Sequence, residues 1–184
     1  RDLHLSLRRQ RQMCIRDRHN SLNAALSIAI SLHLGIKMQT IKERLTAIDL
    51  PKRRLTVTKS LNGSTMIDDT YNSNPASLKN ALDSLEKVDK TKICILGEMK
   101  ELGPESKRIH TAALEYAYER VDKILCLGNS WSDCIIPKSE NIDIFTNHDE
   151  LYDYLVSLID QNTILLIKGS RSTRMDLIAD KLKK

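Results

Sequence analysis

The chain has 184 residues, which is enough for one domain or for one domain with part of another. Hydrophobic residues make up 41% and charged residues 29%, proportions typical of a globular protein, although only 4% are aromatic. This composition excludes disorder over the whole length. No apolar run approaches the ~20 residues that span a bilayer, so no membrane segment is expected.

The net charge of +5 is concentrated at the start of the chain. Residues 1–18 contain six arginines and two aspartates, so the remainder is nearly neutral. It has no basic stripe with interleaved aromatic residues, and we expect no nucleic-acid binding. Residues 12–18 resemble a translated sequencing adapter, which favours a non-native leader over 1–18. The alternative is a basic arm that binds an anionic partner.

The four cysteines indicate neither a zinc site nor a redox motif. They form no C-x-x-C pair, and no Cys/His cluster has zinc-ligand spacing. Cys94 and Cys126 lie within apolar runs, which is typical of buried thiols in a reducing compartment. We therefore expect a cytoplasmic protein.

Two helices are predicted before the first strand. Apolar residues recur at helical spacing over 20–34, and Gly35 follows as a helix stop. A second, short helix is predicted over 41–48, after Thr40 and before Pro51. Both fall outside the alternation of strands and helices that follows, so a domain boundary is predicted near residues 50–54.

The rest of the chain alternates between strands and helices. Asn62-Gly63 between two short strands is typical of a β-hairpin, and Asn74-Pro75 is typical of a capped helix start. Apolar strands separated by helices predict an α/β fold with a mostly parallel sheet and helices on both faces. The predicted strands are 55–59, 65–67, 93–97, 123–128, 142–145 and 163–167, and the predicted helices are 75–88, 104–120, 148–159 and one after residue 172.

Polar residues collect in four loops, and ligands of open α/β sheets bind beside the carboxyl ends of the strands. In the first loop, Asn20 and Asn23 either cap a helix, which spacing alone favours, or bind a ligand such as adenine. In the second loop, the polar side chains of Asp69 and Asn72 are more than a simple turn needs, which favours a ligand contact. Asn74 is expected to cap the helix that follows. The loops are HNSLNAA (19–25), DDTYNSNP (68–75), LGEMKELG (96–103) and KGSRSTRM (168–175).

The third and fourth loops also leave two interpretations open. In the third loop, either Glu98 or Glu101 contacts a ligand, or both are solvated in a simple strand-to-helix connection. This loop is not a P-loop, because it lacks the G-K-[ST] ending. Lys168 and Arg171 with neighbouring hydroxyls favour an anion-binding loop over a surface turn, since arginine grips carboxylates and phosphates. The isolated histidines are expected to be structural or on the surface, namely His33, His110 and His148.

These motifs, in this order, resemble the Mur ligase family. The family's versions are HNxxNAxAA, RL, DDxYNANPxSM, LGDMxELG and KGSRSxxM, and the similarity covers residues 19–184. The DDxYNxNP and KGSRS motifs are most similar to those of the member that joins D-alanyl-D-alanine to UDP-N-acetylmuramoyl-tripeptide. The family's Gly before the HN pair is replaced here by Asp17-Arg18, which favours an artificial junction before His19.

The resemblance implies an ATP-dependent amide ligase of peptidoglycan synthesis with three domains. ATP would phosphorylate the tripeptide carboxylate, and the dipeptide amine would attack the acyl phosphate. Residues 19–50 would be the end of the central ATPase domain, and 51–184 a Rossmann-like C-terminal domain. The UDP-sugar domain, the P-loop and the Mg²⁺ ligands would lie upstream, in missing domains that act as partners. We therefore expect the chain alone to be inactive.

The resemblance also assigns site residues. Arg54 and Lys168 are the expected catalytic residues, with Arg54 reaching the ATP phosphates and Asp69 on the nucleotide side. Asn20 and Asn23 correspond to the adenine-side asparagines. The residues expected near the incoming dipeptide are Tyr71, Asn72, Asn74, Lys168, Ser170 and Arg171. The alternatives are another Mur or folylpolyglutamate-type ligase, against which the Tyr71-Asn72 loop argues, and a non-catalytic Rossmann-like binding module.

Overall fold

A computed structural model describes residues 24–47, 52–134 and 140–183, and the chain divides into two compact units between Pro51 and Lys52. In the first unit, helix α1 is described over 24–33 and is followed by Gly35 at φ 77°, which confirms the predicted stop. Helix α2 spans Met38–Thr46, so it begins earlier than predicted. It starts from the extended backbone of Lys37 without a side-chain cap, and Thr40 lies inside it.

The second unit is built on a six-stranded sheet in the order β1-β2-β6-β3-β4-β5. Strand β1 is antiparallel to β2, and all other neighbours are parallel. The predicted hairpin is confirmed, but Leu61–Gly63 forms a 3₁₀ turn within its connection. The strands are β1 (Thr56–Lys59), β2 (Thr65–Asp69), β3 (Thr91–Gly97), β4 (Lys123–Leu127), β5 (Ile142–Phe145) and β6 (Thr163–Lys168).

Helices cover both faces of this sheet, as the apolar strands predict. One buried cluster joins Leu78 of α3 and Leu114 of α4 to one face, and another joins Leu151 of α5 and Ile178 of α6 to the other. The helices are α3 (Pro75–Asp83), α4 (Ser106–Tyr118), α5 (His148–Leu158) and α6 (Asp176–Leu182). Among the described residues, no helix has the length and apolar character that crossing a membrane requires.

Two of these helices are shorter than predicted. Helix α3 ends at Asp83 instead of Val88, because the chain continues in tighter turns with i to i−3 hydrogen bonds such as Leu85 N–H to Leu82 O (2.9 Å). Helix α4 begins at Ser106, because Gly103–Glu105 forms a 3₁₀ turn, and it ends at Tyr118. Apolar periodicity continues through such turns, so it does not mark where the α-helix ends.

The three isolated histidines are structural or on the surface, and the two thiols are buried, as the sequence predicts. His110 is fully buried, and its Nε2 accepts a hydrogen bond from Met99 N–H (3.0 Å). His148 Nε2 lies 2.9 Å from Thr173 O, and His33 is exposed. Cys94 and Cys126 are buried in adjacent strands, where burial raises the pKa of both thiols.

Candidate functional site

The carboxyl ends of β2, β6 and β3 meet at one edge of the sheet. Strand register places Asp69 opposite Lys168, and Lys168 opposite Leu96. Because β1 is antiparallel, its beginning lies at this edge too, with Thr56 opposite Asp68. The segment before β1 and the loops after β2, β6 and β3 are therefore neighbours, at the edge where open α/β sheets bind ligands.

A buried ion pair joins the first two of these strand ends. Lys168 Nζ lies 2.5 Å from Asp69 Oδ2 and also donates to the carbonyl oxygen of Asn72 (2.9 Å). Only 2% of Lys168 is exposed. Burial raises the pKa of the Asp69 carboxyl, and this shift is opposed by the Lys168 ammonium and by a hydrogen bond from Leu55 N–H. The pair thus connects β2, β6 and the loop after β2.

The adjacent carboxylate, Asp68, is also neutralised by a lysine. Lys183 Nζ lies 2.9 Å from Asp68 Oδ2, and the Thr70 hydroxyl donates to Asp68 Oδ1 (2.7 Å). Since Asp68 and Asp69 each have a lysine partner, the pair does not fit a divalent cation. Within the described ranges, no group of three His, Cys, Asp or Glu side chains could hold a metal ion.

Two exposed arginines at this edge are available for an anion. The Arg54 guanidinium lies 4.2 Å from the centroid of the Tyr71 ring, which is 46% exposed. Neither Arg54 nor Arg171 forms an ion pair with another residue of the described ranges. An aspartate partner neutralises each of four neighbouring cations, namely Arg53, Lys168, Arg174 and Lys183.

The loop after β6 is joined to the loop after β3. Ser170 N–H donates to Glu98 O (3.1 Å), and Ser170 Oγ accepts a hydrogen bond from Lys100 N–H (2.8 Å). A Cβ at Gly169 would lie 2.6 Å from both Thr173 Oγ1 and Met175 Cγ, so the close turn requires glycine there. These contacts constrain the backbone of this loop and tie it to the loop after β3.

Glu98 is neither a free ligand group nor a simple solvated connector. Its carboxylate accepts a hydrogen bond from Ser130 N–H (2.8 Å) and forms an ion pair with Lys100. Although burial opposes ionisation, hydrogen bonds from Lys100 and Ser130 lower the pKa of this carboxyl to about 2. Glu98 thus ties the loop after β3 to the loop after β4.

We expect Glu98→Gln to destabilise the chain in a pH-dependent way. The folded pKa lies below the ordinary value of 4.5, so the stabilisation is complete above pH 4.5 and is lost as pH falls towards 2. Urea unfolding should give a deficit of about 1 kcal/mol at pH 7, because solvent screens the half-exposed Lys100. A deficit that stays constant from pH 7 to pH 2.5 would contradict this role.

The structure brings together most of the predicted site residues. Lys168 contacts both Asp69 and the backbone carbonyl of Asn72, whereas Asn20 and Asn23 lie outside the described residues. Asn74 caps α3, as expected, with its side chain accepting from Ser77 N–H (2.8 Å). Of the remaining members, Tyr71, Ser170 and Arg171 lie on the loops after β2 and β6, and Arg54 lies in the segment before β1.

Sequence reasoning missed the carboxylates that hold Arg53. Its guanidinium lies 2.6 Å from Asp176 Oδ2 and 2.8 Å from Asp180 Oδ2, both on α6. The i, i+4 spacing of these aspartates places them on one helix face, which was the only available signal. Nothing in the local sequence indicates a partner more than 120 residues away.

Comparison with known proteins identifies the family. The model for the Mur ligase glutamate ligase domain matches residues 53–171. The chain belongs to the Mur ligase family. A UDP-N-acetylmuramoyl-tripeptide–D-alanyl-D-alanine ligase of Haemophilus influenzae is 32% identical over 172 residues, covering 90% of this chain and 37% of that protein. This Mur ligase chain thus spans little more than a third of the relative's length.

Solved structures of Mur ligases have the same architecture. MurF from Acinetobacter baumannii matches with a TM-score of 0.75 and 28% identity, over 89% of this chain and 37% of that one. MurF from Thermotoga maritima, solved in complex with ADP, matches with a TM-score of 0.70 and 24% identity, over 86% and 36%. The predicted α/β fold, with its mostly parallel sheet, is confirmed.

Proposed function

We propose that this chain is the carboxyl-terminal part of an ATP-dependent ligase that joins D-alanyl-D-alanine to UDP-N-acetylmuramoyl-tripeptide in the cytoplasm. The observation that carries the proposal is the Asp69–Lys168 contact. It joins the DDTYNSNP and KGSRS loops, the two motifs most similar to those of this ligase, into one polar wall. Residues 19–50 would end the central ATPase domain, and 51–184 would form the Rossmann-like domain.

Arg54 is proposed to act on the phosphate side of the reaction. Phosphorylation of the tripeptide carboxylate and its later displacement both develop negative charge on phosphate and acyl oxygens. The Arg54 guanidinium is exposed, unpaired within the described ranges, and stacked on Tyr71. A guanidinium that no carboxylate neutralises is available to pair with such an anion.

The loops after β2 and β6 are proposed to receive the dipeptide. The side-chain oxygen of the exposed Asn72 accepts from Ser73 N–H (2.9 Å), which leaves its NH₂ group to donate to a ligand. Arg171 offers a guanidinium that is unpaired within the described ranges for a carboxylate. Lys168 and Asp69 are both buried, so they act by fixing this wall and its charge, while Ser170 holds the loop through Lys100 N–H. Positioning of amine and acyl group is the contribution such a wall makes to amide formation.

The binding of ATP and Mg²⁺ is proposed to depend mainly on residues outside the described site. Asn20 and Asn23 would contact the adenine. The lysine-paired carboxylates Asp68 and Asp69 do not fit a magnesium ion, so its ligands are assigned to the upstream domains. When bound, the metal would neutralise phosphate charge.

An acceptor panel tests the proposal on the full-length protein that carries this chain. Purified protein is given ATP, Mg²⁺ and UDP-N-acetylmuramoyl-tripeptide with D-alanyl-D-alanine, D-glutamate or L-lysine, and separately dihydropteroate with L-glutamate. We expect ADP, phosphate and the pentapeptide product only with D-alanyl-D-alanine. Turnover with another acceptor would support the alternative ligases, and no turnover with D-alanyl-D-alanine would contradict the proposal.

A further inference from the structure

The segment that precedes β1 has an unusual backbone. Arg53 and Leu55 have φ values of 64° and 50°, in the left-handed region that favours glycine. A residue with a Cβ pays free energy to adopt this conformation, so it persists only where neighbouring contacts impose it. Two such residues on either side of Arg54 indicate that this segment is held in place.

Backbone contacts with the end of β2 hold part of the segment. Tyr71 N–H donates to Arg53 O (3.1 Å), and Leu55 N–H donates to Asp69 Oδ1 (3.1 Å). The second oxygen of Asp69 accepts from Lys168. One carboxylate therefore connects this segment to the buried ion pair of the site.

The Arg53 side chain supplies the other attachment. Its two terminal nitrogens pair with Asp176 (2.6 Å) and Asp180 (2.8 Å) of α6, and 25% of the side chain is exposed. A planar guanidinium can bridge two carboxylates in this way, whereas an ammonium is a point charge. Lys183 also pairs with Asp180 and with Asp68, so α6 is fastened to the same strand end.

We propose that Arg53 is a positioning residue for Arg54. Its ion pairs to Asp176 and Asp180 hold the left-handed backbone that stacks Arg54 on Tyr71 and presents the Arg54 guanidinium to an anionic group. The inference rests on the proposed function of Arg54, and Arg53 itself contacts no ligand. What the site requires at position 53 is the backbone conformation, which the ion pairs stabilise.

This role predicts opposite behaviour for two small replacements. Arg53→Ala keeps the cost of the left-handed conformation and removes the ion pairs, so the segment should leave its position. Arg53→Gly also removes the ion pairs but adopts positive φ without that cost, so it should retain the position. If the Arg53 side chain acted directly on a ligand, both variants would lose that interaction to the same extent.

Trypsin reports the state of the segment in the 184-residue chain, because Lys52, Arg53 and Arg54 are consecutive cleavage sites. We expect slow cleavage after Arg54 in wild type and in Arg53→Gly, and cleavage at least about fivefold faster in Arg53→Ala. Asp149→Asn, which removes an exposed partner of Lys181 on α6, is the matched control and should cleave like wild type. Equal rates for the Ala and Gly variants would overturn the proposal.

Kinetics of the full-length protein separate positioning from simple stabilisation. Arg53→Ala should lower kcat for acyl-phosphate formation about tenfold, and Arg53→Gly should lose no more than about threefold. In an Arg54→Ala background, Arg53→Ala should cause no further loss, because it acts only through Arg54. Additive losses would overturn the proposal. If wild type forms no acyl phosphate, the proposed function fails, and the trypsin result still decides whether Arg53 holds the segment.

Discussion

Replacement of Lys168 with methionine is expected to lower the free energy of unfolding by about 3–5 kcal/mol. Methionine keeps most of the apolar stem but leaves the Asp69 carboxylate buried, with the Leu55 N–H as its only remaining partner among the described residues. An uncompensated buried charge is costly because water no longer solvates it. Urea unfolding of the 184-residue chain at pH 7 measures this loss.

Two further variants identify the source of that loss. Asp69→Asn in the Lys168→Met background removes the uncompensated charge and keeps an acceptor for Leu55 N–H, so it should recover at least half of the stability. Lys181→Met breaks the exposed pair with Asp149 and should leave stability nearly unchanged. Equal effects of the two lysine replacements would show that burial of the Asp69–Lys168 pair is unimportant.

Replacement of Arg54 with alanine is expected to lower the ligase kcat of the full-length protein by about 10²–10³-fold. The loss should appear already in acyl-phosphate formation, because the guanidinium is proposed to stabilise charge on the phosphate. The structure supports this role by leaving Arg54 exposed and unpaired among the described residues, with its guanidinium over the Tyr71 ring. Quenched-flow measurement of ADP formation isolates this step.

Lys52→Ala is the matched control for Arg54→Ala. It removes a neighbouring exposed cation of the same segment and should change kcat less than twofold. Arg54→Lys should fall between wild type and Arg54→Ala, since an ammonium keeps the charge but not the planar fork. An Arg54→Ala protein that forms acyl phosphate at the wild-type rate would remove Arg54 from the phosphate side.

The sheet and its polar edge could be predicted because their signals are local. Short apolar runs ending in glycine or polar residues mark β3, β4 and β6, and parallel strands bring their carboxyl ends together. The contact of Asp69 with Lys168 follows from that geometry once β2 and β6 are neighbours. Helix ends were less predictable, because turns with i to i−3 hydrogen bonds follow α3 and a 3₁₀ turn precedes α4.

The contacts that hold the segment before β1 could not be predicted. Positive φ at Arg53 and Leu55 has no sequence signal, since neither is glycine or asparagine. The ion pairs of Arg53 with Asp176 and Asp180 join residues far apart in sequence. Such pairs depend on how α6 docks on the sheet, which periodicity alone does not determine. Sequence motifs therefore indicated Arg54 as a candidate ligand group and missed the ion pairs of its neighbour Arg53.

Chemical-shift mapping tests most directly whether the loops after β2 and β6 form one ligand-binding wall. The ¹⁵N-labelled 184-residue chain is titrated with D-alanyl-D-alanine, and with L-alanyl-L-alanine as the matched control. We expect the D-dipeptide to shift the amides of Tyr71, Asn72, Ser170 and Arg171 more than any others, and more than the L-dipeptide does. Equal shifts with both dipeptides, or no shifts in these loops at saturating dipeptide, would contradict it.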